Sequence, residues 1–94
     1  MPTLTNLQTI EQLIREFIAV NLLYSTEGFA YADDVSFLRE GIIDSLGVLE
    51  LVAFVEKQFR VTVAQHEVTP DNFDSVAKLA GFVRSKLAAI KPQP

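Results

Sequence analysis

The chain contains no cysteine, so its 94 residues can build neither a disulfide framework nor a thiolate metal site. Any thiol chemistry it takes part in must borrow sulfur from an attached group. Tryptophan is also absent, and seven Phe and two Tyr supply the aromatic content. Cations are scarce: eight Lys and Arg against twelve Asp and Glu leave a net charge of −4, which disfavours nucleic acid as a partner. Long apolar runs are missing too. Val48-Leu49 and Leu51 to Val55 are separated by Glu50 and are far too short to span a bilayer. The opening Met1-Pro2-Thr3-Leu4 has neither the basic start nor the apolar stretch of a secretion signal. These absences point to a cytoplasmic setting.

What remains is sufficient for one core. A composition of 49% hydrophobic and 21% charged residues is that of a globular chain, and the length fits a single domain over 1–94. A domain of this size buries only about 60–65% of its unfolded surface, so its stability is modest.

Three segments carry helical periodicity. The first runs from Thr9 to Leu23, with Ile10, Leu13, Ile14, Phe17 and Ile18 on neighbouring turns. Thr9 and Gln12 fit a capping box, and Thr5 or Asn6 offers an earlier start. The second runs from Ser45 to Phe59, with Leu51, Val52, Val55 and Phe59 as its core stripe. The third runs from Ser75 to Ala89, where Asp74 or Ser75 can cap and Val76, Leu79, Ala80, Val83 and Leu87 repeat at helical spacing. Thr69-Pro70 starts one short helical turn, and Val61-Thr62-Val63 is an extended lead-in to it. The long connection from Tyr24 to Asp44 is pinned to the bundle by Phe29, Tyr31, Val35, Phe37 and Leu38. The expected architecture is all-α: a four-helix bundle of three long helices and one short one, with a long loop between helices 1 and 2. The tail at 91–94, Lys-Pro-Gln-Pro, is expected to be disordered.

Charge is uneven along the chain. Glu27, Asp33, Asp34, Glu40, Asp44, Glu50 and Glu56 are opposed by Arg39 alone, so this window is more negative than the whole. It is either a solvated face or a docking surface for basic partners.

The stretch Gly41-Ile42-Ile43-Asp44-Ser45-Leu46-Gly47-Val48-Leu49-Glu50-Leu51 carries the chemical signal. It sets a Ser in the first turn of an amphipathic helix, directly after an Asp. Asp44 or Ser45 as an ordinary N-cap accounts for that spacing. A functional Ser is also served by the place, because free N–H groups and the positive end of the helix dipole favour a phosphate there.

Asp44-Ser45-Leu46, opening a helix rich in aliphatics with Glu50 and Glu56, resembles the phosphopantetheine attachment motif of acyl and peptidyl carrier proteins. The likeness extends over nearly the whole chain. It takes in Phe37-Leu38 and Gly41 before the motif, Glu56-Lys57-Gln58-Phe59 at the helix end, and Asn72-Phe73-Asp74-Ser75-Val76. The resemblance implies a non-catalytic monomer whose Ser45 receives 4'-phosphopantetheine from coenzyme A through a phosphopantetheinyl transferase. A loading ligase or synthase and a downstream acyltransferase would then exchange acyl or aminoacyl groups with the arm, in fatty acid or in nonribosomal or polyketide biosynthesis. It assigns Asp44 to docking the transferase and its cofactor. Leu46, Gly47, Leu49, Glu50, Ala53 and Glu56 become partner contacts, with core packing as the alternative for Leu46 and Leu49.

Two departures from the fatty-acid pattern stand out. One extra aliphatic precedes Asp44, and Gly47 replaces the usual acid after the Leu, with Lys57 where another acid is frequent. The Gly-aliphatic-aliphatic-Asp-Ser-X-Gly form is similar to D-alanyl and free-standing aminoacyl carriers. Gly47 is either a neutral replacement or, on that likeness, offers bare backbone to a ligase.

Other chemistries find little support. A serine hydrolase needs a base and a sharp Gly-X-Ser-X-Gly turn, and the lone His66 is far from Ser45 in sequence. Asp33-Asp34 lacks the alternating carboxylates of a calcium loop, so no metal site is expected. The reading from a different class is an unmodified helical interaction module that binds a basic partner through its acidic face.

Overall fold

The computed structural model describes residues 8–90. The expected tail disorder at 91–94 and the alternative helix start at Thr5 or Asn6 lie outside the described residues. Within them the fold is helical, without strands: α1 (Ile10–Phe17), α2 (Ser45–Phe59), the short α3 (Pro70–Phe73) and α4 (Val76–Ala89). A 3-10 turn at Gln65–Glu67 interrupts the second connection, and Val61-Thr62-Val63 is extended without a partner strand.

The caps explain where the helices start. Thr9 and Gln12 form the reciprocal box: the Gln12 N–H donates to Thr9 Oγ1 at 3.0 Å, and the Thr9 N–H donates to Gln12 Oε1 at 2.8 Å. Ser75 caps α4 by accepting the Lys78 N–H at 3.0 Å. Pro70 occupies the first turn of α3, where its missing N–H costs nothing.

The first helix departs from expectation at its end. It is α-helical only to Phe17 and continues as a π-turn over Ile18–Leu22. The wider turn lets the Leu23 N–H reach the Ile18 carbonyl (2.9 Å) and the Ser25 N–H reach the Ala19 carbonyl (2.8 Å). Tyr24 lies between those bonds at φ 53, in the left-handed region.

The long connection is tethered to the start of α4. Phe37 is 1% exposed in the core, and its N–H donates to the Asp74 carbonyl at 2.8 Å. The Asp74 carboxylate accepts the Ser36 hydroxyl and, at 3.0 Å, the Leu38 N–H. Arg15 on α1 holds Asp33 at 2.7 Å, and the Asp33 carbonyl accepts the Ala77 N–H of α4 at 2.9 Å. Phe29 and Val35 pack against the core from this loop, as expected. Tyr31 and Leu38 are more exposed: Tyr31 meets Phe29 edge-on with ring centroids 5.4 Å apart, and Leu38 borders a recess with Val48 and Phe73.

Inside, Ile14 and Ile18 from the first helix meet Leu51 and Val55 of α2, Phe73 of α3, and Val76, Leu79 and Val83 of α4. Full burial of each such side chain contributes roughly 1.5–3 kcal/mol. Phe17 stacks on Phe54 with ring centroids 4.3 Å apart, fastening α1 to α2. Glu11 and Arg84 form a two-point ion pair at 2.7 Å that ties α1 to α4. The guanidinium's hydrogen bonds hold the Glu11 carboxyl down to about 2, against a smaller opposing effect of burial.

Candidate functional site

Gly41 at φ +67 turns the chain toward α2, and the next two residues, Ile42 and Ile43, are buried. The Ile42 N–H donates to the Phe37 carbonyl at 2.8 Å. The two aliphatics therefore anchor the approach to the helix, and Asp44 follows in extended conformation as the N-cap. Asp44 Oδ1 accepts the Gly47 N–H at 2.8 Å, and its carbonyl accepts the Val48 N–H at 3.0 Å.

This capping leaves Ser45 as the first residue of α2. Its side chain is exposed and makes no hydrogen bond to another described residue. The N–H groups of Ser45 and Leu46 belong to the first helical turn and have no carbonyl within the helix to bond. An unencumbered hydroxyl thus stands beside two free donors at the positive end of a fifteen-residue helix.

Leu46 is 72% exposed and Leu49 is 62% exposed, so the core-packing alternative for both is overturned. With Glu50 and Ala53, also exposed, they recur at three- and four-residue spacing along one outward face of α2. The opposite face carries Leu51 and Val55 into the core.

Gly47 and Glu56 have different duties. Gly47 is buried, and a Cβ built on it would stand 2.4 Å from Ile43 Cγ2. The expectation of bare backbone offered to a ligase is corrected: the absent side chain makes room for Ile43. Ile43, one of the two aliphatics before Asp44, lies over the glycine, so the aliphatic and the glycine share one packing contact. Glu56 is half-buried, and its Oε2 accepts the Val63 N–H at 2.8 Å, which closes the end of α2. It is a structural carboxylate before it is a rim charge.

Two recesses border the first turns of α2, one at Val48 and the other at Asp44, Leu46 and Gly47. One, of about 110 Å³, is apolar and lined by Leu38, Val48, Val68 and Phe73 with Thr69 and Asp74 at its edge. The other, of about 280 Å³, lies toward the first helix and is lined by Tyr24, Asn21, Asp44, Leu46 and Glu50 among others. Sequence reasoning took Tyr24 only as the start of the long connection and Leu38 only as a residue pinning that loop. The π-turn that throws Tyr24 outward has no periodic signature, and Leu38 carried the same pattern as a core residue. His66 is exposed in the 3-10 turn and has no place in either recess. Among the described residues no group of three His, Cys, Asp or Glu converges as metal ligands, and no helix is long and apolar enough to cross a membrane.

A small helical bundle that presents an unpartnered serine at the start of its second helix, beneath an exposed leucine pair, has the form of a carrier module. No protein-family model matches the chain. It is 32% identical over 57 residues to a D-alanyl carrier protein from Abiotrophia defectiva, across 61% of this chain and 72% of the relative. The chain belongs to the carrier protein family. A solved structure described as an FAD-dependent dehydrogenase contains a chain that superposes on this one with a TM-score of 0.56 and 34% identity. The match covers 73% of this chain and 96% of that one, so the matched chain is the shorter of the two.

Proposed function

We propose that this protein carries acyl or aminoacyl groups as thioesters on a 4'-phosphopantetheine arm attached to Ser45. The observation that supports this most is the exposed, unbonded Ser45 hydroxyl at the first position of α2, directly after the Asp44 cap. The residues fit the group. The N–H groups of Ser45 and Leu46 would face its phosphate, and the apolar recess beside Val48 and Phe73 offers cover for an arm or its cargo. When attached, the arm supplies the thiol that a chain without cysteine cannot.

Attachment forms one bond, from Ser45 Oγ to phosphorus, with loss of the hydroxyl proton. Coenzyme A supplies the group and releases its nucleotide half, and a phosphopantetheinyl transferase provides the base. The chain's own part is to hold the nucleophile in the open and to present Leu46, Leu49 and Glu50 around it. It does no further chemistry, which is the non-catalytic role of a carrier working in the cytoplasm. Loading ligases or synthases and acyltransferases are its partners.

The D-alanyl carrier relative favours an aminoacyl cargo. The likeness to a chain of a dehydrogenase structure favours an oxidising enzyme among the partners. A flavin-binding role for this chain itself has no support, because its described residues hold no strand–turn–helix unit on which a dinucleotide could rest.

The test is intact mass after incubation with coenzyme A and a broad-specificity transferase. A gain of one phosphopantetheine on the wild type and none on Ser45→Ala is expected. Modification at Ser36 or Ser75, or no gain at all, leaves the unmodified interaction module as the surviving reading.

A further inference from the structure

Lys57 is the departure from the fatty-acid pattern that packing around Ser45 does not explain. Three cations have carboxylate partners: Arg15 with Asp33, Arg84 with Glu11 and Lys86 with Glu67. Lys57 and Arg60 have none among the described residues, although the chain carries twelve acids. Both are exposed, and both open onto one recess of about 480 Å³ between α1 and the second half of α2. Its floor is the stacked pair Phe17 and Phe54, each half-buried, with Ala53 beside them.

The recess is continuous with the attachment site. Glu50 lines it and also lines the 280 Å³ cleft that holds Asp44 and Leu46. Together they make one trough along α2, acidic near Ser45, aromatic in the middle and cationic at its far end. Lengths decide what can use it. From Ser45 the helix rises about 18 Å to Lys57 and about 22 Å to Arg60. An extended chain gains about 1.2 Å per bond, so the roughly fourteen bonds from Ser45 Oγ to the sulfur of the arm span about 17 Å. The thiol therefore reaches the aromatic pair and stops short of the cations. An acyl chain of about four or five carbons covers the remaining distance of about 5 Å. Its methylenes would lie along the two rings and its far end would meet Lys57 and Arg60. Glu50 repels a carboxylate placed nearer to Ser45, which gives the trough a direction. A weak site is sufficient, because a tethered ligand is present at an effective concentration of the order of millimolar.

We propose that this trough receives the cargo and selects acyl groups of about four or five carbons that end in a carboxylate, held there by Lys57 and Arg60. The inference rests on the carrier reading, since only an arm on Ser45 brings cargo to this place.

The isotopically labelled full chain is loaded by a broad-specificity transferase from coenzyme A, glutaryl-coenzyme A or pentanoyl-coenzyme A, so that the arm arrives with its acyl group intact. Amide chemical shifts are read at low salt against the unacylated arm. Glutaryl should move Phe54, Lys57, Gln58 and Arg60, and pentanoyl should not. Added salt should weaken the glutaryl shifts. Lys57→Gln combined with Arg60→Gln should reduce them several-fold with helical circular dichroism unchanged. Equal shifts from the two cargoes, glutaryl shifts confined to Val48, Val68 and Phe73, or shifts that survive the double substitution would overturn the site. Intact mass reads attachment separately. No gain of the arm overturns the carrier reading and the site with it, whereas a gain without glutaryl-specific shifts overturns the site alone.

Discussion

The dipeptide Asp-Ser occurs twice in this chain, each time at the start of a long helix, and the two copies have opposite fates. At α2 the cap is Asp44, so Ser45 becomes the first helical residue and stands in solvent. At α4 the cap is Ser75, so the hydroxyl turns inward to the Lys78 N–H and the residue is only 2% exposed. Asp74 is then left outside the helix, where it gathers the Ser36 hydroxyl and the Leu38 N–H of the long connection. A shift of one residue in the capping position separates an available nucleophile from a structural one. The two Asp residues differ in backbone: Asp44 is extended and can act as an N-cap, whereas Asp74 closes the preceding turn of α3 as its C-cap, so the extended N-cap position falls to Ser75.

The largest effect should come from exchanging the fates of the two serines. Ser45→Ala should abolish phosphopantetheine uptake by intact mass with helical circular dichroism unchanged, while Ser75→Ala should take up the arm fully. Equal uptake by both variants would dissolve the distinction. Next in size is Gly47→Ala, which forces a methyl into Ile43 and should cost roughly 1–3 kcal/mol in denaturant unfolding. Combining it with Ile43→Ala should cost less than the sum of the single changes, because the clash is shared. A neutral Gly47→Ala would show that Ile43 can move.

Asp74→Ala removes two hydrogen bonds from the loop and should cost about 1–2 kcal/mol. Asp44→Ala, which removes one, should cost nearer 1 kcal/mol. If the Asp44 change proved the costlier, α2 rather than α4 would be the cap that organises the loop. The smallest effect concerns acid. Glu11 is held down to about 2 from its ordinary 4.5 by Arg84, so its folded value lies below the unfolded one. The stability it contributes is present above about pH 4.5 and is lost as pH falls toward 2. Glu11→Gln should flatten that part of the stability profile and leave the arm chemistry at both Asp-Ser sites unaltered.

Much of this fold was legible in the sequence because helix starts are written in a few residues. Thr9 with Gln12 and Thr69-Pro70 each appear where the spacing put them. For α2 both Asp44 and Ser45, and for α4 both Asp74 and Ser75, were open as caps; the structure takes Asp44 in the first and Ser75 in the second. The end of the first helix was illegible, since a π-turn keeps the same apolar residues and changes only which carbonyl each N–H reaches. The candidate site divides in the same way. Ser45 was marked by its local motif. The exposure of Leu46 and Leu49, the burial of Gly47 and the outward turn of Tyr24 depend on what lies across from each of them, which no local pattern records.

The contact between Gly47 and Ile43 also bears on how such a motif can change over generations. A lineage that keeps a bulky aliphatic at 43 acquires a side chain at 47 only at a cost in stability, because its first atom meets Ile43, which must shift. Shrinking the aliphatic first avoids that clash, but an intermediate with a small residue at 43 and glycine still at 47 loses packing. The two positions should therefore travel as a pair through descent, giving two sequence dialects of the same helix start with a disfavoured gap between them.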